Sequence, residues 1–291
     1  MQKVKSGAEL QKLKEGTMHA LFLVCACVSI LAVALICVYL FASGIPAIGE
    51  IGVTDFLFGT KWKPSSGYYG IFPMIVGSIL VTGIAVLIGV PIGILCAVFM
   101  SHYCPKKLYR FVKPAINLLA GIPSIVYGFF GLVVIVPVMK ELFGGSGKSL
   151  LTAGILLGIM ILPTVIKTTE ASLNAVPRSY YEGALALGAT HERSVFFASL
   201  PAAKSGILAA IILGVGRAIG ETMAVILVAG NQTILPKSIT SGIRTMTSNI
   251  VMEMGYAGGL HREALIATGV VLFVFILIIN LCFSALKRRK D

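Results

Sequence analysis

Two oppositely charged residues lie within one apolar stretch of the sequence. Arg217 and Glu221 are the charged residues of the run 205–230. A charge at the centre of a bilayer costs roughly 2.5–3.5 kcal/mol on an insertion scale, so such residues need a reason to be there. On a continuous helix, their spacing of four places both on one face, where they can neutralise each other. We therefore expect either an ion pair that locks helix packing or an anion pathway. In the second case Arg217 contacts the anion, and Glu221 holds Arg217 until the anion arrives.

Two further features extend this candidate site. The pair Gly216 and Gly220 would let another helix approach closely beside Arg217. The segment 121–124 interrupts another apolar run and has two interpretations, a simple proline kink or a break that exposes helix N–H groups favourable to anions. The predicted substrate pathway comprises Ser124, Arg217, Glu221 and Thr222.

Enzymatic and metal chemistry find no support in the sequence. The segment Gly144–Ser149 resembles a nucleotide-binding loop, but Leu142 stands where that motif requires its first glycine. The six cysteines fit no metal-site spacing, and the four histidines lack companions at ligand spacing. We predict no catalytic residue, no metal and no cofactor bound by this chain. If transport is driven by ATP, the ATP and its Mg²⁺ bind a partner subunit.

Composition places these residues in a membrane protein. Of 291 residues 57% are hydrophobic and 12% charged, whereas soluble domains carry about 25% charged residues. The net charge of +12 comes from short basic runs beside apolar segments, which argues against a nucleic-acid partner. We predict an all-α integral membrane protein with a segment 1–18, a single transmembrane domain 19–286 and a tail 287–291. Its six predicted spans cover residues 19–41, 71–100, 114–139, 150–166, 205–230 and 263–286.

The distribution of lysine and arginine predicts the orientation. Most of the 24 basic residues fall in the N-terminal segment, the tail and the loops after spans two and four. An excess of positive charge marks the cytoplasmic side, so both termini are predicted to be cytoplasmic. On the opposite side, Lys237, Arg244 and Arg262 are expected to attract an anion. The aromatic residues of the loop 42–70 are expected at the membrane–water boundary.

One long polar insertion, residues 167–204, separates spans four and five. Within it, Tyr181, Leu185 and Gly188 fall on one helical face, and Gly188 offers a helix stop. Thr190 can cap a second helix. The second apolar stretch, 195–200, closes at Pro201. The segment therefore predicts a helix–turn–helix with an apolar face, which either docks a partner or packs on its own chain.

This segment resembles the cytoplasmic EAA loop of ATP-binding-cassette (ABC) importer permeases. The resemblance implies a loop that docks into a groove of an ATPase subunit and transmits its closure. The matching positions keep the spacing of that motif, although Gly183 and Ala198 depart from the commonest residues. By this resemblance the coupling residues are Glu182, Gly183, Ala184, Gly188, Leu200 and Pro201.

Further stretches resemble the PstC-type permeases of phosphate importers, and together they cover most of the chain from Asp55 onward. They are 58–62, 120–128, 216–225 and 244–250. The resemblance implies a multi-pass protein of a prokaryotic cytoplasmic membrane. It also implies a second permease of the PstA type, two ATPase subunits of the PstB type and an extracytoplasmic phosphate-binding protein.

Three alternatives remain open at this point. A permease of the same family for another oxyanion would carry the same arginine, because a guanidinium recognises the negative charge of an oxyanion more than its chemical identity. A stand-alone secondary transporter or channel would have no use for a docking helix pair, and no inverted repeat supports it. A membrane-embedded sensor or scaffold would show no substrate flux.

Overall fold

The computed structural model describes residues 2–288 and, for side chains, residues 14–282 and Ala285. Within that part the regular secondary structure is helical apart from one two-stranded hairpin and an isolated bridge between Gly230 and Ile243. The predicted all-α integral membrane fold is confirmed, whereas the cytoplasmic position of both termini stays a prediction. The side chains of the predicted basic tail, 287–291, lie outside the described residues.

Short turns connect most of the helices, and the longest non-helical segment comprises residues 229–245. In order, they are α1 (Gln2–Ile51), α2 (Val53–Phe58), α3 (Phe72–Val98), α4 (Lys106–Gly121), α5 (Ser124–Phe130), α6 (Val136–Phe143), α7 (Leu150–Asn174), α8 (Arg178–Ala186), α9 (His191–Ser194), α10 (Leu200–Ala202), α11 (Lys204–Gly220), α12 (Met223–Val228), α13 (Met246–Glu253) and α14 (Gly259–Arg288). Three π-helical turns, Phe99–Tyr103, Gly131–Ile135 and Val195–Ser199, continue α3, α5 and α9. The strands β1 (Trp62–Lys63) and β2 (Tyr68–Tyr69) form the antiparallel hairpin.

Among the described residues, five helical stretches are long and apolar enough to cross a bilayer. They are Lys14–Ile51, Phe72–Tyr103, Ser124–Phe143, Leu150–Asn174 and Gly259–Cys282. A sixth span results if α11 is counted together with the helical segment His191–Ala202, from which it is bent by 69°. The predicted third span began at Pro114, inside α4, and its interruption corresponds to the gap between α4 and α5. The predicted fifth span is divided into α11 and α12.

Helix α7 lies at the centre of the bundle, where it packs against α3 and α11. Its side chains Leu156, Leu157, Met160 and Ile161 are almost fully buried. Small residues let α3 come close, since a Cβ added at Gly89 would lie 2.7 Å from the Gly158 carbonyl oxygen. The central position of α7 explains why its apolar residues are buried in protein.

A second core joins the hairpin to α13 and α14. It buries Phe56, Trp62, Met246 and Leu265. Phe56 and Trp62 are therefore covered by protein and do not occupy the membrane–water boundary that the sequence suggested for them. Phe58 and Tyr68 remain exposed. We call the two ends of the bundle the hairpin end, which carries β1 and β2, and the loop end, which carries α8 to α10.

Candidate functional site

The helix that carries Arg217 breaks immediately after it. Helix α11 ends at Gly220 because Glu221 adopts an extended backbone, with φ −72° and ψ 131°. The Glu221 Oε1 atom accepts hydrogen bonds from the Thr222 backbone N–H at 3.1 Å and the Ala224 N–H at 3.2 Å. The carboxylate therefore caps the first turn of α12. The continuous helix expected to join Arg217 and Glu221 is not formed, and no ion pair between them occurs among the described residues.

Arg217 is left without a partner in the part of the chain that the structure describes. Its side chain is exposed in the last turn of α11, where the partial negative charge of the helix end favours a cation. A Cβ added at Gly216 or Gly220 would meet no atom within 4 Å. This face of α11 is therefore open for a ligand or for another helix.

A second broken helix lies beside the first. Helix α4 ends at Gly121, and α5 begins at Ser124, after an extended Ile122 and Pro123. The Tyr127 hydroxyl donates to the Leu119 carbonyl at 2.8 Å, which bridges this break. The predicted interruption is thus a change of backbone direction, not a kink within a continuous helix.

The two breaks share one region of the molecule. Helix α5 packs on α12 so closely that a Cβ added at Gly128 would lie 2.8 Å from Ala224 Cα. This packing brings together the break before Ser124 and the break at Glu221–Thr222, which follows Arg217 in the last turn of α11. Of these groups the guanidinium is the one suited to an anion, because the Thr222 and Ala224 N–H groups are already bonded to Glu221.

An ion pair between the half-buried Lys113 and the buried Glu170 was not predicted from the sequence. Lys113 Nζ on α4 donates to both carboxylate oxygens of Glu170 on α7 at 2.7 Å, and the Tyr109 hydroxyl donates to Oε1 at 2.6 Å. Glu170 is 1% exposed. The sequence placed Glu170 in the polar insertion, but α7 continues to Asn174. The pair ties the bent third span to the central helix.

The predicted helix–turn–helix between spans four and five is confirmed. At the end of α8 the Gly188 N–H donates to the Leu185 carbonyl and the Ala189 N–H to the Ala184 carbonyl. Gly188 has φ +84°, so these bonds form the Schellman motif that ends many helices. The Thr190 hydroxyl then accepts from the Arg193 N–H and caps α9. The turn chemistry thus arises from the residues that the sequence singled out.

The helix pair has one anchored face and one exposed face. Val195 is fully buried against Val98 and Leu173, and the Tyr181 hydroxyl lies 2.6 Å from His191 Nδ1. On the other face Leu187 is 91% and Phe197 is 79% exposed. Glu182, Gly183 and Gly188 are exposed as well, while Ala184 is half-buried.

The second helical segment ends at Ala202, one residue after the Pro201 that was expected to close its apolar stretch. Leu200 and Pro201 begin the short helix α10, which extends the helical segment to Ala202. The direction changes by 69° between this segment and α11. Proline lacks the backbone N–H that would continue the helical bonding pattern, and the segment ends one residue after Pro201.

Arg244 is not available to attract an anion, contrary to the sequence prediction. Its guanidinium donates to the Glu253 carboxylate and to Asn249 Oδ1, the latter at 3.0 Å. Lys237 and Arg262 are exposed. The segment Gly144–Ser149 forms a turn between α6 and α7, so it comes after a helix and not after the strand that a nucleotide-binding loop requires.

Comparison with known proteins identifies the chain's relatives. Residues 89–291 match the family of binding-protein-dependent transport system inner membrane components. The chain is 37% identical to the probable ABC transporter permease protein YqgH of Bacillus subtilis, over 98% of this chain and 95% of that protein. It is 38% identical to the phosphate transport system permease protein PstC of Haemophilus influenzae, over 76% of each chain.

A solved structure shares the fold. An inward-facing conformation of the MetNI methionine ABC transporter superposes with a TM-score of 0.64 and 21% identity. The match covers 79% of this chain and all of that chain. At this identity the likeness concerns the fold alone.

Proposed function

The chain belongs to the family of binding-protein-dependent transport system inner membrane components, and from this premise we propose that it carries inorganic phosphate. As a permease subunit of an ABC importer, it forms the pathway together with a second, PstA-type permease. Relatives named as phosphate transport permeases, at 33–38% identity, support this substrate. The residues proposed for the pathway are Ser124, Arg217, Glu221 and Thr222.

The observation that carries the proposal is the exposed guanidinium of Arg217, which has no ion-pair or hydrogen-bond partner among the described residues. Phosphate carries up to two negative charges near neutral pH, and a guanidinium binds its oxygens in a fixed fork. Because the Glu221 carboxylate is bonded to α12 and makes no ion pair with Arg217 in the described part of the chain, the guanidinium is available to an anion. The open face at Gly216 and Gly220 leaves room beside it for the second permease.

The exposed helix pair is the proposed site of energy coupling. Leu187 and Phe197 present apolar surface that the described part of this chain does not cover. We assign this surface to one of two PstB-type ATPase subunits, which bind the ATP and Mg²⁺. The family name itself supports an extracytoplasmic binding protein as a further partner.

The proposed mechanism is alternating access. The binding protein delivers phosphate at the hairpin end, and closure of the ATPase subunits moves α8 to α10. Because Val195 and Tyr181 anchor this pair to the ends of α3 and α7, its movement is transmitted to the central helix. The spans then reorient so that the site near Arg217 opens toward the loop end.

Reconstitution tests the function directly. The complete complex in liposomes is expected to accumulate radiolabelled phosphate only when ATP is present on the ATPase side. An excess of unlabelled phosphate should abolish the signal, and an equal excess of sulfate should not. Competition by sulfate would indicate a permease for another oxyanion, and phosphate flux through this chain alone would indicate a stand-alone transporter.

A further inference from the structure

Helix α13 connects the hairpin end of the molecule to the break in the fifth span. It is a short helix within the long loop before α14, and its residues Met246 to Asn249 are buried. The Thr245 hydroxyl caps it by accepting from the Ser248 N–H at 3.2 Å. The Met246 N–H donates to Ser78 Oγ on α3 at 3.0 Å. A buried, capped helix of this kind is held in one position.

One end of α13 contacts the break itself. The Thr247 hydroxyl donates to the Glu221 backbone carbonyl at 3.1 Å. The last carbonyls of a helix lack intrahelical partners, so a bond at this point defines where the chain goes after α11 ends. The side chain of Glu221 is already bonded to α12. The carbonyl and the carboxylate of Glu221 thus hold the break from two sides.

The other end of α13 is anchored by a carboxylate. Glu253 is 7% exposed and accepts hydrogen bonds from Trp62 Nε1 of β1 at 2.9 Å and from the Arg244 guanidinium. His261 Nε2 of α14 lies 2.9 Å from the same carboxylate. An ionised carboxylate only accepts, so this nitrogen carries its hydrogen. Glu253 therefore joins the hairpin, α13 and α14.

We propose that α13 is a strut, with Thr247 and Glu253 as positioning residues for the anion site. Thr247 fixes the Glu221–Thr222 break, and through it the position of Arg217 four residues earlier. Glu253 fixes the strut to the hairpin. The expected effect of the strut on phosphate affinity rests on the proposed function. The claim that α13 fixes the break after α11 does not.

Matched variants of Thr247 separate the hydrogen bond from packing. Thr247→Val keeps the volume and removes the hydroxyl, while Thr247→Ser keeps the hydroxyl. In the ATP-driven uptake assay, Thr247→Val is expected to raise the KM for phosphate about fivefold with kcat nearly unchanged. One net hydrogen bond of roughly 1 kcal/mol gives this factor, since 1.4 kcal/mol is tenfold. Thr247→Ser should restore the KM, and Thr240→Val, at an exposed site on the same loop, should not alter it.

A second measurement does not depend on the substrate. Hydrogen exchange of the backbone over residues 221–228 should become about fivefold faster in Thr247→Val than in the parent protein or Thr247→Ser. If the parent complex imports no phosphate, the proposed function fails and this measurement alone decides on the strut. Unchanged exchange in Thr247→Val would overturn the strut even if phosphate uptake is normal.

The anchor is tested with Trp62→Phe, which removes the indole donor to Glu253. The KM for phosphate and the rate of hydrogen exchange over residues 221–228 are both expected to rise. The increases should be smaller than in Thr247→Val because Arg244 and His261 still bond Glu253. Since both residues act through α13, the effects of Trp62→Phe and Thr247→Val should be less than additive when combined. Full additivity, or exchange at 221–228 that Trp62→Phe leaves unchanged, would overturn the role of the anchor.

Discussion

Arg217 and Glu221 lie four residues apart, yet they serve different parts of the molecule. The sequence identified both because they are charges in an apolar run. Their spacing predicted an ion pair between them, because residues four apart share one face of a continuous helix. The helix instead ends at Gly220, and Glu221 bonds the next helix. The sequence did contain a signal for this capping role, because Glu221 directly precedes Thr222, a residue type that often stands at the start of a helix.

Substitution of Arg217 tests the role of the guanidinium. Arg217→Ala is expected to lower phosphate uptake by at least about 10- to 100-fold, because a charged hydrogen bond contributes roughly 1.5–3 kcal/mol. Arg217→Lys should recover part of the activity, since lysine keeps the charge but not the fork. Uptake is normalised to the amount of assembled complex.

Lys140→Ala serves as the control for loss of one positive charge, since Lys140 is exposed at the end of α6. Normal uptake by Arg217→Ala, with the control also normal, would remove Arg217 from the proposed site.

The ion pair of Lys113 and Glu170 could not be predicted from the sequence. The two residues are 57 positions apart, and no local pattern relates positions on different spans. An acid near the end of an apolar helix was visible, but its partner depends on how α4 folds back onto α7. Non-local polar contacts of this kind require the packed structure.

At the scale of elements, the helix pair α8–α9 was the best predicted part of the chain. The amphipathic spacing, Gly188 and Thr190 each specify local geometry, so the residues themselves define the turn. The 69° bend before α11 was not predicted, because it depends on how the segment packs against α3 and α7. Local chemistry thus specified the turn but not its placement.

Gly188 offers a test of this element. A Cβ added there would meet no atom within 4 Å, so the constraint is its φ of +84° and not space. Gly188→Val is expected to change the angle between α8 and α9, because a left-handed backbone costs a residue with a Cβ roughly 1–2 kcal/mol. The phosphate transported per ATP hydrolysed should therefore fall about fivefold or more.

The control is Gly83→Ala, within α3 and outside the helix pair, where an added Cβ also meets open space and φ is not positive. This variant should keep its coupling. If Gly188→Val transports as much phosphate per ATP as Gly83→Ala does, the geometry of this turn does not transmit closure.

At the scale of the whole molecule, composition and hydropathy predicted the membrane class and the approximate spans. They could not show that α7 is central or that two spans are broken, because these features depend on packing between helices. The same limit explains Arg244, which was counted as a surface charge. Its partner Glu253 lies in the same loop, but the cluster also needs Trp62, which is 191 positions away, and His261 at the start of α14.

The hairpin-end cluster predicts how stability depends on pH. Burial acts to raise the pKa of Glu253, but the hydrogen bonds from Trp62, His261 and Arg244 and the charge of Arg244 outweigh it, so the pKa lies below its ordinary value of 4.5. The ionised carboxylate therefore stabilises the fold fully above pH 4.5, and this contribution is lost as the pH falls through the lower, folded-state pKa.

Thermal unfolding of the purified chain in detergent checks this dependence. Glu253→Gln should be less stable than the parent protein at pH 7, and its unfolding temperature should change less on acidification below pH 4.5. Glu192→Gln is the comparison, because the pKa of Glu192 is also lowered, by its own backbone N–H and by Thr190, but its side chain is exposed. Equal acid sensitivity of Glu253→Gln and the parent would contradict the assignment.

The indole that bonds Glu253 is the only tryptophan among the 291 residues. Emission from the isolated polypeptide on excitation at the red edge of its absorption therefore originates from one place, the joint between the hairpin and α13. Opening of that joint would expose the ring to water and shift the emission to longer wavelength. The protein thus contains its own optical reporter of this joint, and no label needs to be attached to read it.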